Sequence, residues 1–347
     1  MTVATHPSSN NNEQGKEFRP LANNSGLPAD LKIVAEAFPA PVKAFSTDAA
    51  VDVLRFALRT AQAGRQVALC TLVEIRGGSS RSLGAHMAVS EEGFYCGYVS
   101  GGCTEAAVAA EALQALAKGH DRFVMLGEGS PFFDIVLPCG GGLTVAVHVL
   151  RDIHPVRAVV ERLRTRRGAG LSYVPGTQSL SVSPENARVG WEGDAFLTTY
   201  RPNVRIFLSG RTLEVDVAAK VARAAGYEVV CCDALSGDMP EDGLIDDDTA
   251  IALLQHDLDR EIPVLQAALR ANPFYVGALG SSRTHERRVQ RLRELGHSQA
   301  AIDRIKAPIG LFGRARDAQS LALSVTADIA ACRQMLLAEA SMPETPP

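Results

Sequence analysis

The sequence predicts an α/β protein in two parts, an N-terminal α/β domain followed by a C-terminal domain with a mostly parallel sheet. Three observations carry this. Short apolar strands alternate with amphipathic helices through most of the 347 residues. Three glycine-rich turns stand at strand ends within about seventy residues of the first half, where α/β folds place ligands. The stretch from Val204 to Cys232 reads strand, glycine turn, helix, glycine stop, strand, so the second part is expected to be Rossmann-like.

The length suits two domains and the apolar share of 46% suits buried cores. The expected division is a disordered tail at 1–27, an N-terminal domain at 28–202 that includes a short-strand segment, a C-terminal domain at 203–337, and a tail at 338–347. The first tail carries Ser8, Ser9, Asn10, Asn11 and Asn12 with little apolar content to offset ordering. A net charge of −4, with arginines and acids interspersed, gives no reason to expect a nucleic-acid partner. Apolar runs such as Val67 to Val73 are short for a bilayer span, and no secretory signal pattern opens the chain, so no membrane partner is expected. Seven cysteines without a CxxC pair do not read as a disulfide framework, and a cytoplasmic location follows as an expectation.

Taken in order, a helix capped by Thr47 or Asp48 carries Val51, Leu54, Leu58 and Ala61 on one face and stops at Gly64. A strand from Gln66 to Ile75 is nearly all apolar, as for a strand covered on both faces. A loop from Gly77 to Met87 follows, then short strands at Met87 to Ser90 and Phe94 to Val99. Helix Thr104 to Lys118 ends at Gly119. A loop containing Gly127, Gly129 and Pro131 leads to a strand at Leu143 to Leu150. A helix from Pro155 bears Val156, Val159, Val160 and Leu163, and short strands then run to Arg201, with Trp191 as a packing anchor.

In the second half, Val204 to Leu208 and Glu228 to Cys232 are strands around a helix that ends near Ala225. Asp233 stands near the position that binds a ribose hydroxyl in dinucleotide folds. The GxGxxG pattern is broken, because Thr212 and Val215 replace the second and third glycines after Gly210, while Glu214 and Asp216 repel a pyrophosphate. NAD(P) binding is therefore doubtful. Phe274 to Leu279 is a strand, Gly280 to Thr284 opens a helix bearing Arg287, Arg288 and Arg291, and a helix from Ala318 to Leu337 turns Leu321, Leu323, Val325, Ile329 and Met335 mostly to the core.

The candidate chemistry sits in the turns. Ser100-Gly101-Gly102-Cys103-Thr104-Glu105 delivers a cysteine to a helix start, where backbone amides favour negative charge and a thiolate. Cys139 heads a second run with Gly140 and Gly141. Ser79, Ser80 and Arg81, and separately Gly280, Ser281, Ser282 and Arg283, combine hydroxyls with a guanidinium in a manner suited to phosphate. An ordinary polar loop or a capped helix with a solvated basic face competes with each. Cys70, Cys231, Cys232 and Cys332 read as structural. His86, His148 and His256 lack metal-ligand spacing and read as satisfied histidines.

The segments GGSSRSLGAHMAV, SGGCTEAAV, LPCGGGLTVAV, YVGALGSSRTHERRVQRLRELG, APIGL and LALSVTADIA are similar, in the same order, to those of the xanthine dehydrogenase accessory factors. The chain resembles that family over residues 48 to 332. The resemblance implies an N-terminal cofactor-associated domain, a C-terminal Rossmann domain, and a chaperone that binds molybdenum cofactor, keeps its sulfurated form and inserts it into an apo molybdenum hydroxylase of the xanthine or aldehyde dehydrogenase type. No turnover is implied. Under that reading Cys103 contacts molybdenum or a transferred sulfur, the SGGC and CGGG amides hold oxyanions, and Arg81 or Arg283, with its neighbouring serines, takes the phosphate. Where family members commonly carry GAG this chain has Gly210-Arg211-Thr212, and Ala327-Asp328 replaces the usual Ala-Glu. The alternatives are an NAD(P)-dependent oxidoreductase and a sulfur carrier holding a persulfide on Cys103. The partners are the apo-enzyme and, for sulfur, a cysteine desulfurase, and a homodimer is compatible with either.

Overall fold

Three sheets organise the computed structural model, which describes residues 38–128, 130, 140–210, 212–232, 244–255, 257–312 and 315–341. The first is built from β1 (Val42–Phe45), β2 (Val67–Arg76), β3 (His86–Ser90), β4 (Phe94–Gly97), β5 (Arg122–Gly127) and β6 (Gly142–Val149), in the order β1-β4-β3-β2-β6-β5. Its pairs are antiparallel except β1 with β4. Helix α2 (Glu105–Lys118) covers one face through Val108, Ala112 and Leu116. Helices α1 (Ala50–Gln62) and α3 (His154–Arg164) cover the other through Leu54, Ala57 and Val159. This double covering explains why β2 reads as one apolar run.

Helix α1 is capped at Ala49 with no side-chain bond, in place of Thr47 or Asp48. Thr47 instead braces its entry, accepting from the Ala49 amide at 3.1 Å and donating to Asp52 at 3.1 Å. Strands β1 and β5 went unread in the sequence. Every residue of β1 is exposed, so it carries no alternation, and β5 leads into a glycine-rich stretch that reads as loop.

The second sheet is the short-strand segment, with β7 (Ala169–Val174), β8 (Ser179–Ser183), β9 (Gly190–Glu192) and β10 (Ala195–Tyr200) in the antiparallel order β8-β7-β10-β9. Buried His86 of β3 ties it to the first sheet, bonding Thr71 through Nδ1 at 3.0 Å and the Tyr200 hydroxyl through Nε2 at 2.6 Å. Trp191 remains 46% exposed and is a partial anchor, edge-on to Phe196 with its Nε1 donating to the Val73 carbonyl.

The third sheet contains β11 (Arg205–Ser209), β12 (Glu228–Cys232), β13 (Thr249–Leu253), β14 (Tyr275–Ala278) and β15 (Ile305–Lys306). All its pairs are parallel and the order is β12-β11-β13-β14-β15, so the connections change direction between β11 and β13. Helices α4 (Leu213–Ala224) and α8 (Ala318–Ser341) pack on one face. Helices α5 (Leu258–Arg270) and α6 (Ser282–Glu294), with the short α7 (Gln299–Ile302), pack on the other. Leu321, Val325 and Ile329 of α8 are buried, but Leu323 and Met335 are exposed, contrary to the core face expected for them. Over Ala318–Ala338 this helix is long and apolar enough to cross a membrane, which the apolar runs had not suggested. Leu321, Ala322, Val325 and Ile329 pack it against α4 and the sheet, and about a third of that apolar span, 33%, is buried inside the protein.

Between the second and third sheets, Arg166 binds both carboxylate oxygens of Asp246 at 2.5 and 2.9 Å and reaches Glu228 at 3.0 Å. Asp248 receives Arg201 at 2.9 Å and is also paired with Arg333.

Candidate functional site

At one end of the first sheet, the turns after β2, after β4 and before β6 come together. A Cβ on Gly141 would lie 2.4 Å from the Arg76 carbonyl and 2.8 Å from that of Gly78, so only glycine lets the two turns touch. A Cβ on Gly101 would lie 3.1 Å from the Ser80 hydroxyl. Gly140 lies in the same run, whereas Cys139 lies outside the described residues, and with it the expected closeness of Cys139 to Cys103.

The Cys103 turn owes its shape to Glu105. That carboxylate, 1% exposed, accepts from the amides of Val99 (3.1 Å), Ser100 (2.8 Å) and Thr104 (3.2 Å), and from the Ser100 hydroxyl at 2.9 and 3.0 Å. A buried carboxylate so supplied has its oxygens satisfied and pins the chain around it. The following amides, of Gly101, Gly102 and Cys103, have no acceptor among the described residues, and all three residues are exposed. Gly102 adopts φ +107°, a conformation that favours glycine. The Cys103 thiol lies at the surface, 3.7 Å from the Ser100 hydroxyl. By contrast, burial pushes the Cys70 and Cys96 thiols up to about 12, as inert structural thiols require. Cys231, read as structural, is exposed; Cys232 is buried.

Arg81 reaches the turn, its Nε donating to the Ser100 carbonyl at 3.3 Å and its Nη1 to Asp48 at 3.1 Å. Ser79 serves its own loop, donating to the Arg81 carbonyl and accepting from the Arg81 amide. Two residues that sequence reasoning passed over stand beside them. Tyr98 accepts from Lys43 Nζ at 3.0 Å, and Lys43 and Arg81 lie 4.9 and 5.4 Å from the centre of its ring. Tyr98 adjoins the Ser100 motif and was within reach of a closer reading. Lys43, on an unread edge strand, had no signal.

The Gly280 to Arg283 segment lies elsewhere, at the carboxyl end of the parallel sheet. Ser281 caps α6, its hydroxyl accepting from the Thr284 amide at 3.3 Å. A cleft of about 660 Å³ opens there beside the change of strand direction, lined by Thr212, Gln255, Asp257, Arg260, Thr284 and Arg287 among others. Arg283 is not among its described lining residues. Where a dinucleotide fold leaves room for pyrophosphate, a Cβ on Gly210 would meet Val215 at 3.2 Å, and Thr212 is bonded to the Leu254 carbonyl. Arg211, Asp233 and His256 lie outside the described residues. Among the described residues no group of three or more His, Cys, Asp or Glu side chains is arranged to hold a metal ion. Buried His148 donates through Nδ1 to the Asp121 carboxylate at 2.6 Å, as expected of a satisfied histidine.

Comparison with known proteins gives this geometry its context. Residues 206–329 match the family model of the XdhC Rossmann domain, and residues 60–127 match that of the XdhC and CoxI family. The chain is 51% identical over 293 residues to the molybdenum cofactor insertion chaperone PaoD of Escherichia coli (strain K12), covering 84% of this chain and 92% of that protein. It is 27% identical over 269 residues to the uncharacterized protein YqeB of the same organism, covering 76% of this chain and 42% of that protein. Among solved structures, one described as a xanthine dehydrogenase from Bacillus halodurans superposes with a TM-score of 0.65 at 18% identity, over 83% of this chain and 96% of that one. At that identity the likeness speaks to the fold alone.

Proposed function

The chain belongs to the XdhC and CoxI family, and from that premise we propose that it is a molybdenum cofactor-binding chaperone that protects the sulfurated cofactor and inserts it into an apo molybdenum hydroxylase. The observation that carries this is the Gly101–Cys103 turn, where exposed residues whose amides have no acceptor among the described residues carry an exposed thiol next to Arg81. The cargo is a pterin with a dithiolene and a terminal phosphate, and its molybdenum is a centre that thiolate sulfur can approach. Cys103 meets the metal or its sulfur, the Gly101 and Gly102 amides take oxygen ligands, and Gly140 and Gly141 complete the wall. Insertion demands binding followed by release, which suits an exposed turn better than a closed pocket.

On this reading the cargo site belongs to residues 28–202, and the boundary with the second domain lies near Pro202. The six free cysteines among the described residues support a reducing cytoplasm. The exposure of Cys103 also supports a finer reading, in which a cysteine desulfurase loads it with persulfide sulfur for transfer to the cargo.

The test is to release and oxidise whatever copurifies with the protein. Pterin fluorescence is expected from a host that makes the cofactor and not from one that cannot. A pterin-free preparation from the competent host would sink the proposal.

A further inference from the structure

Two cations flank one aromatic ring at the edge of the Cys103 turn. Lys43 comes from β1, 55 residues before Tyr98 in the chain, and its ammonium both bonds the Tyr98 hydroxyl and lies 4.9 Å from the ring centre. Arg81 lies 5.4 Å from the same centre and is tied to the turn through the Ser100 carbonyl. A Cβ on Gly102 would stand 3.9 Å from Tyr98, so ring and turn are neighbours. Tyr98 donates in turn to Ser46 at 3.1 Å, which fixes the ring against β1. The nearby acids do not cancel this field equally. Glu105 is buried and consumed by the amides beneath the turn, whereas the Asp48 side chain, paired with Arg81, is 70% exposed.

We propose that Lys43, Tyr98 and Arg81, with the unbonded amides of Gly101–Cys103, form a subsite for a phosphate monoester. This rests on the cargo-binding reading above and gives the cargo's phosphate a place distinct from the thiol that meets its metal. A phosphate dianion displaces the solvent-screened Asp48 carboxylate from Arg81 and gains Lys43 and the amides, an exchange of one weak exposed pair for several charge-assisted hydrogen bonds. Tyr98 acts by position, holding both cations on one side of the turn.

The test uses the full chain and two probes: a pterin monophosphate obtained by oxidising released cofactor, and the same pterin after phosphatase treatment. Equilibrium dialysis of each is run against wild type, Lys43→Gln and Asp48→Asn. Wild type is expected to prefer the phosphorylated probe about tenfold. Lys43→Gln is expected to shrink that preference about threefold, and Asp48→Asn to widen it. Inorganic phosphate should compete with the phosphorylated probe alone. Equal binding of both probes by wild type, or a preference that Lys43→Gln leaves intact, overturns the subsite and leaves the chaperone reading standing. Binding of inorganic phosphate with neither pterin bound makes it a free-phosphate site and overturns its assignment to the cargo. Binding of no probe overturns the subsite, and absence of copurifying pterin as well overturns the chaperone reading with it.

Discussion

A carboxylate held at 1% exposure is tolerated only when its oxygens are bonded, and Glu105 takes donors from three backbone amides and one hydroxyl. Replacing it by Gln removes the charge and turns an oxygen into a donor that faces donors. Glu105→Gln is expected to lower stability by about 1–3 kcal/mol in urea unfolding, and to reduce cargo binding more than a surface substitution of equal stability cost. A variant with an unchanged urea midpoint would show that the carboxylate does not organise the turn. Of these residues, Cys103 stands out in the sequence because a cysteine after two glycines at a helix start has few structural uses. Glu105 was visible only as part of the motif, since an acid in the first helical turn usually faces solvent toward the dipole. Lys43 was beyond reach, because its strand pairs with β4 in parallel and no local pattern announces that contact.

Strand ends and the links between sheets carry the next level. The turns before β6 and after β2 meet only because Gly141 lacks a side chain. Gly141→Ala, with its added carbon 2.4 Å from a backbone carbonyl, is expected to cost about 1–3 kcal/mol and to weaken cargo binding in the same preparation. Binding at the wild-type level would show that the junction does not shape the site. The link from β3 to β10 gives a pH test. Burial pushes the His86 imidazole down to about 4 from its ordinary value. Between about pH 4 and 6.5 the unfolded chain binds the proton and the folded chain does not, so stability rises with pH across that window and is lost as pH falls through it. Comparing unfolding at about pH 7 and about pH 4.5, His86→Gln should lose about 2–3 kcal/mol less than wild type. An identical loss in both proteins would remove His86 from the acid response. Elements that read as apolar runs bounded by glycine turns, such as β2 and the Glu228–Cys232 strand, were readable. Helix α5 was not, since Pro263 inside it interrupts the helical pattern.

The whole molecule joins a largely antiparallel first sheet to a parallel third one, with ion pairs of Arg166, Asp246 and Asp248 between the second and third. Arg166 is mostly buried and donates twice to Asp246, which otherwise keeps the Asp248 amide and the Thr249 hydroxyl. Arg166→Ala is expected to cost about 1–3 kcal/mol and to split one calorimetric unfolding transition into two; a single transition would argue that other contacts couple the halves. The α/β class and the Rossmann-like half were legible from the strand–helix alternation, because parallel strands covered on both faces leave long apolar runs. The pairing of Arg166 with residues eighty positions on was not, because charges at that separation carry no signature. On the proposed reading Cys103 links this architecture to insertion, and the most direct measurement is the activity of an apo molybdenum hydroxylase co-expressed with wild type or with Cys103→Ala. The account predicts that wild type raises that activity and that Cys103→Ala, folded to the same stability, does so at least about tenfold less. Equal activation by the two proteins would contradict it.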